Sequence, residues 1–179
     1  RALLGLLRLR DTETAQVTEE EIRMLVSEGH EAGVIDLDER NMLNRVMRLG
    51  DRTADSLMTP RTRIAWLDMS ASLAENLAAM EESAFSRYPV YRRDDSDVAG
   101  VLEVKTLLDE LGKPNPDLFN DLRPALFVSE STHAMKLLEI LREEQQSLAL
   151  VVDEYGDIQG LVTISDVMDA VLGRIQTGT

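Results

Sequence analysis

The chain has 179 residues, of which 44% are hydrophobic and only 4% aromatic, so its core has to be built mainly from aliphatic side chains. The formal net charge of −14 argues against nucleic-acid binding, and it requires any anion site to be built locally from arginines and helix-start N–H groups. The absence of cysteine excludes disulfides, thiolate metal ligands and a cysteine nucleophile.

The N-terminal part of the chain is predicted to be helical. Residues 1–17 contain a short Leu-rich start flanked by arginines, which is typical either of a frayed terminus or of the edge of a membrane segment outside this chain. Thr18 and Glu21 have the spacing of a capping box, so a helix is predicted to begin there. Apolar spacing and helix-stop residues predict three helices, over 18–29, 37–49 and 53–57.

Two β-α-β units with the same order of elements are predicted to follow. The first comprises strand 64–67, helix 72–84, strands 88–92 and 98–102, and helix 104–111. The second comprises strand 126–128, helix 132–144, strands 148–153 and 157–162, and helix 164–172. The predicted organisation is a terminal segment (1–17), a helical segment (18–58), a first repeat (59–111), a linker (112–120), a second repeat (121–174) and a tail (175–179).

The repeat is supported by identical residues at a fixed spacing. Gly100 and Gly160 are 60 residues apart, as are the pairs Asp97/Asp157 and Asp109/Asp169. At the same offset, apolar residues meet apolar partners; these include Tyr88, Val90, Tyr91, Val98, Val101 and Leu102. We therefore predict an α/β fold with two small three-stranded sheets and flanking helices, packed face to face behind an N-terminal helical segment.

The most informative segment for chemistry is 160–166, where a strand is predicted to end and a helix to begin. Thr163 is the predicted N-cap and Asp166 the third helical residue, a pattern that caps the helix without any ligand. The same geometry also allows the hydroxyl and free N–H groups to bind a phosphate, and the carboxylate to accept ribose hydroxyls. In the first repeat the matching residues are Glu103 and Thr106; a carboxylate there would repel a phosphate, so only the second repeat is expected to bind one.

A second candidate is the segment 86–90. Arg87 precedes a predicted strand in an acidic chain and is positioned to supply a phosphate countercharge, with Tyr88 and Pro89 as an apolar wall for a base. The alternative is a surface arginine beside a half-buried tyrosine. The two histidines, His30 and His133, lie far apart without ligand-like neighbours, so neither a metal site nor a catalytic site is predicted.

The pattern resembles a tandem CBS domain pair, and more narrowly that of the CorC/HlyC (hemolysin-related) and CNNM group of magnesium and cobalt transport-related proteins. Four stretches carry the resemblance, in this order: DSLMTPR (55–61), SRYPVY (86–91), LVVDEYG (150–156) and GLVTISD (160–166). The resemblance covers roughly residues 19–174. It implies a pseudo-twofold module that dimerises through its repeats and binds ATP or another adenine nucleotide, with magnesium as an accompanying ion.

The resemblance also assigns roles to particular residues. It implies that Thr163 meets phosphate or ribose, Asp166 the ribose hydroxyls and Arg87 the phosphates. Around the base it implies Tyr88, Pro89 and Ile64, and it adds Ser165 and Arg61 to the nucleotide contacts.

We therefore expect a regulatory nucleotide-binding module and not an enzyme. The implied partners are a second copy of the chain and the membrane domain of the same longer protein, at the cytoplasmic face of the membrane, with no nucleic acid. Nucleotide would shift the population of repeat or dimer arrangements, and the helices over 18–58 would carry that change towards the membrane part. The alternatives are a purely structural dimerisation module with empty clefts, and a nucleotide hydrolase, for which the sequence offers no base or metal cluster.

Overall fold

The structure is a computed structural model that describes residues 17–173. These residues form two compact units, 17–47 and 48–173. The predicted Leu-rich terminal segment (1–16 of it) and the C-terminal tail lie outside the described residues.

The first predicted helix is confirmed, and it ends two residues later than expected. Helix α1 (Glu19–Glu31) begins at a capping box in which the Thr18 hydroxyl accepts from Glu21 N at 3.2 Å and the Glu21 carboxylate accepts from Thr18 N at 3.0 Å. The helix passes through Gly29 and stops before Gly33, whose φ of 72° lies in the left-handed region that favours glycine.

The second predicted helix is confirmed with the bounds that the sequence predicts. Helix α2 (Leu37–Leu49) begins after Asp36, whose carboxylate accepts from Glu39 N at 2.8 Å while the Glu39 carboxylate accepts from Asp36 N at 2.7 Å. These reciprocal bonds satisfy N–H groups that a helix start leaves unpaired.

The remaining elements follow the predicted order. The helices are α3 (Ala54–Leu57), α4 (Leu73–Ser83), α5 (Leu107–Leu111), α6 (Ala134–Glu143) and α7 (Ile164–Leu172). The strands are β1 (Thr59–Pro60), β2 (Leu67–Asp68), β3 (Arg87–Tyr91), β4 (Val98–Glu103), β5 (Phe127–Ser129), β6 (Leu148–Val152) and β7 (Ile158–Thr163). Single 3-10 turns occupy Arg61–Arg63 and Val104–Thr106, the second of them at the start of the predicted helix 104–111.

The two sheets differ in size, contrary to the prediction of three strands in each. The first has the order β2-β3-β4, whereas the second has the order β1-β7-β6-β5. The extra strand, β1, pairs antiparallel with β7, with Thr59 opposite Leu161 and Pro60 opposite Gly160. Proline is tolerated here because β1 is at the edge of the sheet. The segment that enters the first repeat thus completes the sheet of the second.

A reciprocal contact joins the start of the second repeat to the first sheet. Arg123 and Val101 form an antiparallel bridge in which both N···O distances are 2.9 Å. The entering segment of each repeat therefore hydrogen-bonds to the last strand of the other.

The repeated glycines permit these two close approaches. A Cβ on Gly160 would lie 2.5 Å from both Thr59 O and Met58 Sδ, and a Cβ on Gly100 would lie 2.6 Å from Arg123 O. Any larger residue would have to displace a backbone segment. The identity of Gly100 and Gly160 at matching positions is thus explained by packing.

Each sheet has a helix-side core, and the entering segments contribute to both. In the second core, α3 supplies Ala54 and Leu57, which pack with the apolar residues of β5, β6, β7, α6 and α7. In the first core, Leu118 joins residues from β2, β3, β4, α4 and α5. Pro89 and Leu148 lie on the other faces of their sheets, and both line one common cleft.

The constant offset of 60 residues is correct for β4 and β7 but wrong for β3 and β6. Arg87 pairs with Glu103 and Leu148 pairs with Thr163, so Arg87 is matched by Leu148, 61 residues later. The reason is the hairpin, which has six residues (92–97) in the first repeat and five (153–157) in the second. Tyr88 therefore corresponds to Ala149.

We predict that Gly160→Ala destabilises the fold by about 1–3 kcal/mol, because the new methyl group overlaps the β1 backbone. Urea denaturation followed by circular dichroism measures the loss. Gly29→Ala is the matched control: its Cβ would make only an ordinary 3.7 Å contact with Ile35, and alanine favours the helix by about 0.5–1 kcal/mol. An unchanged denaturation midpoint for Gly160→Ala would contradict this account of the repeat.

Candidate functional site

A cleft of about 370 Å³ opens between the two repeats. It lies where β1, β3, β6 and the start of α7 come together. Its lining comes from four segments: Thr59, Arg63, Ile64 and Ala65; Phe85, Ser86, Arg87 and Pro89; Ser147 and Leu148; and Leu161, Thr163, Ile164, Ser165 and Asp166. This volume is in the range of small-molecule sites in proteins.

Six of the eight residues predicted as nucleotide contacts line this one cleft. They come from three separate parts of the chain, and they are Ile64, Arg87, Pro89, Thr163, Ser165 and Asp166. The other two, Tyr88 and Arg61, lie elsewhere for reasons given below.

The start of α7 combines a complete helix cap with a face of the cleft. Asp166 Oδ2 accepts from Thr163 N at 2.7 Å and from Thr163 Oγ1 at 2.9 Å, and the same hydroxyl oxygen accepts from Asp166 N at 3.2 Å. Within residues 17–173, Asp166 Oδ1 makes no hydrogen bond. The cap therefore occupies one carboxylate oxygen and leaves the other to accept from a ligand in the cleft.

Tyr88 is a core residue, so the prediction that its ring walls a base is wrong. Side chains alternate between the two faces of a strand, so Arg87 and Pro89 face the cleft whereas Tyr88 faces the helix side. The Tyr88 ring is fully buried, and its hydroxyl donates to Met80 O at 3.1 Å and accepts from Phe85 N at 2.8 Å. It thereby fixes the chain after α4, where Phe85 enters the cleft.

Arg61 is committed to an ion pair outside the cleft lining. Its guanidinium donates through Nε to Asp95 Oδ2 at 2.7 Å and through a terminal nitrogen to Asp95 Oδ1, and this pairing lowers the pKa of the Asp95 carboxyl below its ordinary value. Residues 61–63 form a 3-10 turn with three residues per turn, so Arg61 and Arg63 point in different directions. Arg63 lines the cleft instead.

Glu103 stands at the position of Thr163, and its charge is compensated rather than free to repel an anion. Its side chain is only 7% exposed, and its oxygens lie 2.8 Å from Lys105 Nζ, 3.1 Å from Arg87 Nε and 3.4 Å from Arg123 Nε. The hydrogen bond from Lys105, followed by that from Arg87, lowers the pKa of the Glu103 carboxyl despite the opposing effect of burial. Three cations thus surround one carboxylate beside the cleft.

Nine of the fifteen lining residues were not predicted as nucleotide contacts, and three of these nine bear on the chemistry of the cleft. Arg63 lines the cleft, whereas the sequence predicted a nucleotide contact at Arg61, two residues earlier. Phe85 precedes the segment 86–90 that was singled out, and its side chain is 57% exposed at the cleft. Ser147 has a buried hydroxyl without a hydrogen-bond partner in the described structure, and the corrected 61-residue offset identifies it as the counterpart of Ser86.

Within residues 17–173, no group of three or more His, Cys, Asp or Glu side chains could hold a metal ion. The same residues include no helix that is long and apolar enough to cross a bilayer.

Comparison with known proteins identifies relatives over nearly the whole chain. The chain is 41% identical over 175 residues to the UPF0053 protein sll0260 of Synechocystis, covering 97% of this chain and 39% of that protein. It is 39% identical over 146 residues to the magnesium and cobalt efflux protein CorC of Vibrio cholerae, covering 80% of this chain and 50% of that protein. The chain therefore spans half or less of the length of these two relatives.

Solved structures show the same fold. The CBS domain of a bacterial CNNM/CorC family Mg²⁺ transporter superposes with a TM-score of 0.80 at 33% identity, covering 89% of this chain and 98% of that one. A CBS domain of the same family in complex with ATP gives a TM-score of 0.70 at 34% identity, covering 76% of this chain and 99% of that one.

The CBS domain family model matches twice, over residues 54–113 and 120–173, which is more than half of the chain. This confirms the resemblance drawn from the four sequence stretches. The chain belongs to the CBS domain family as a tandem pair similar to the CBS modules of CorC magnesium and cobalt efflux proteins.

Proposed function

We propose that this module binds an adenine nucleotide, ATP foremost, in the cleft between its repeats and regulates a membrane protein linked to divalent cation efflux. The observation that carries the proposal is the meeting of two arginines, a helix start and apolar walls in one cleft of a strongly acidic chain. An acidic protein needs such a local basic site to hold an anion.

The lining divides into parts that suit the parts of a nucleotide. Arg63 and Arg87 offer charge to the phosphates, because guanidinium groups bind phosphate oxygens with paired hydrogen bonds. Asp166, through Oδ1, offers an acceptor to the ribose hydroxyls. The apolar side chains of Ile64 and Pro89 suit the faces of a base.

The choice of ATP is supported by the similar CNNM/CorC family CBS domain solved in complex with ATP. Magnesium fits as an ion carried by the phosphates, since Mg²⁺ commonly keeps several waters and takes few protein ligands. Asp166 is the one carboxylate in the cleft lining, so the protein itself would contribute little to holding the ion.

Regulation would operate by a population shift in a dimer. A nucleotide that contacts both repeats stabilises the arrangement in which both sides of the cleft are in reach, and it disfavours the others. The regulated membrane protein would be a longer protein that contains this module; the magnesium and cobalt efflux protein CorC of Vibrio cholerae is about twice as long as the part that this chain matches. The competing function is a structural dimerisation module whose cleft binds no nucleotide.

We predict that Asp166→Ala weakens ATP binding by about tenfold or more, because a charged acceptor for the ribose is lost. Isothermal titration calorimetry with ATP, ADP and AMP measures the effect. The substitution also removes the Asp166 half of the capping box and should reduce stability by about 0.3–1.5 kcal/mol.

Glu75→Ala is the control for the lost cap. Glu75 closes an equivalent capping box with Ser72 at the start of α4, outside the cleft lining. It should reduce stability similarly while leaving ATP affinity unchanged. Equal losses of affinity in both variants would show that Asp166 acts through stability alone, and a wild-type protein that gives neither heat nor a thermal shift with any nucleotide would favour the structural module.

We predict that the chain forms a homodimer through α5 and α7. Leu108 and Met168 occupy matching positions of these helices and are 81% and 44% exposed. Replacing both with glutamate should weaken dimerisation by roughly a hundredfold or more, since a buried interface would then hold unpaired charges. Sedimentation equilibrium measures the association, with Tyr155→Glu as a control, because Tyr155 is 84% exposed in the β6–β7 hairpin. A dimer that survives the double substitution would place the interface elsewhere.

A further inference from the structure

The Glu103 carboxylate accepts a hydrogen bond from only one nitrogen of the Arg87 guanidinium. Arg87 and Glu103 are opposite each other in the antiparallel pair of β3 and β4, so the strand register fixes their proximity. Arg87 donates through Nε to Glu103 Oε1 at 3.1 Å, and its two terminal nitrogens have no partner in the described part of the chain. Its side chain is 36% exposed and lines the cleft.

The carboxylate is itself held in place. Lys105 and Arg123 approach it from two other segments, the turn after β4 and the start of the second repeat. Because Glu103 is over nine-tenths buried and bound from three sides, it has little freedom to follow Arg87 if the arginine moves. The cluster of three cations and one carboxylate has a net charge of +2 in a chain with a net charge of −14, and Arg87 is its member in the cleft lining.

We propose that Glu103 is a positioning residue for anion binding: it fixes Arg87 through Nε and so presents the terminal nitrogens to phosphate groups in the cleft. This inference depends on the proposed function. It reverses the expectation from the sequence, where Glu103 was judged only as a charge that repels phosphate.

The two interpretations predict opposite changes in anion affinity when Glu103 is removed. If Glu103 acts only through its charge, its removal strengthens the binding of anions. If it positions Arg87, its removal weakens that binding, because the free guanidinium must then lose rotamer freedom when the ligand binds.

The test is calorimetric titration of ATP, ADP, AMP and adenosine into wild type, Glu103→Thr and Glu103→Asp. Threonine occupies the matching position in the second repeat, and aspartate keeps the charge but shortens the reach. Both variants should bind ATP about tenfold or more weakly, with a smaller loss for AMP and a change within about twofold for adenosine, which has no phosphate. Unchanged or tighter ATP binding by Glu103→Thr would overturn the proposal.

Two controls isolate the route through Arg87. Asp97→Asn removes another carboxylate that pairs with two arginines, Arg92 and Arg93, but at the far end of β4, and it should leave ATP binding unchanged. In an Arg87→Ala background, Glu103→Thr should cause no further loss. A full additional loss there would mean that Glu103 acts by another route.

A measurement on the unaltered protein covers the case in which both Glu103 variants fail to fold. The Nε–H signal of Arg87 in ¹⁵N NMR, assigned by its absence in Arg87→Lys, should stay protected from solvent exchange when ATP is added. Faster exchange on binding would mean that the nucleotide displaces Glu103, against the proposal. If the wild-type protein binds no nucleotide, the proposed function itself is contradicted. That result differs from the outcomes above, all of which require wild-type protein that binds ATP.

Discussion

The fold depends on a reciprocal exchange of short segments between the two repeats. Thr59 and Pro60 complete the sheet of the second repeat, and Arg123 bridges to the last strand of the first. Both contacts need a glycine where a Cβ would overlap a backbone oxygen at 2.5–2.6 Å. Because Thr59 also lines the cleft, the contact between β1 and β7 both joins the repeats and helps to shape the site.

Local signals in the sequence were sufficient for most elements. The capping boxes at Thr18 and Thr163, together with apolar spacing, placed α1, α2 and α7 to within two residues, because a helix start is determined by residues three apart. The extra strand β1 was missed because its two residues pair with β7 about a hundred positions later, and Pro60 reads as a helix stop. Such pairing leaves no local pattern.

The site shows the same division. The sequence brought out Thr163, Asp166 and Arg87 because each carries chemistry next to a predicted strand or helix end. The alternation of side chains along a strand can be read from the sequence, and it would have placed Tyr88 on the core face, opposite to Arg87 and Pro89. The choice between Arg61 and Arg63 depended on Asp95, and the cations around Glu103 depended on Arg123; both are tertiary contacts that no local rule specifies.

The one-residue difference between the hairpins bears on how the two repeats can diverge. With the register corrected, the facing pair at the end of the hairpin is Arg87 with Glu103 in one repeat and Leu148 with Thr163 in the other. The first pair carries two opposite charges and the second carries none, so both members of the pair differ between the repeats and the net charge of the pair does not. A chimera that transplanted β3 alone would separate Arg87 from Glu103, whereas a transplanted hairpin would keep this one pair together. Because Lys105 and Arg123 also pair with Glu103 from outside the hairpin, an exchange between the repeats that keeps every charge paired has to include all four residues.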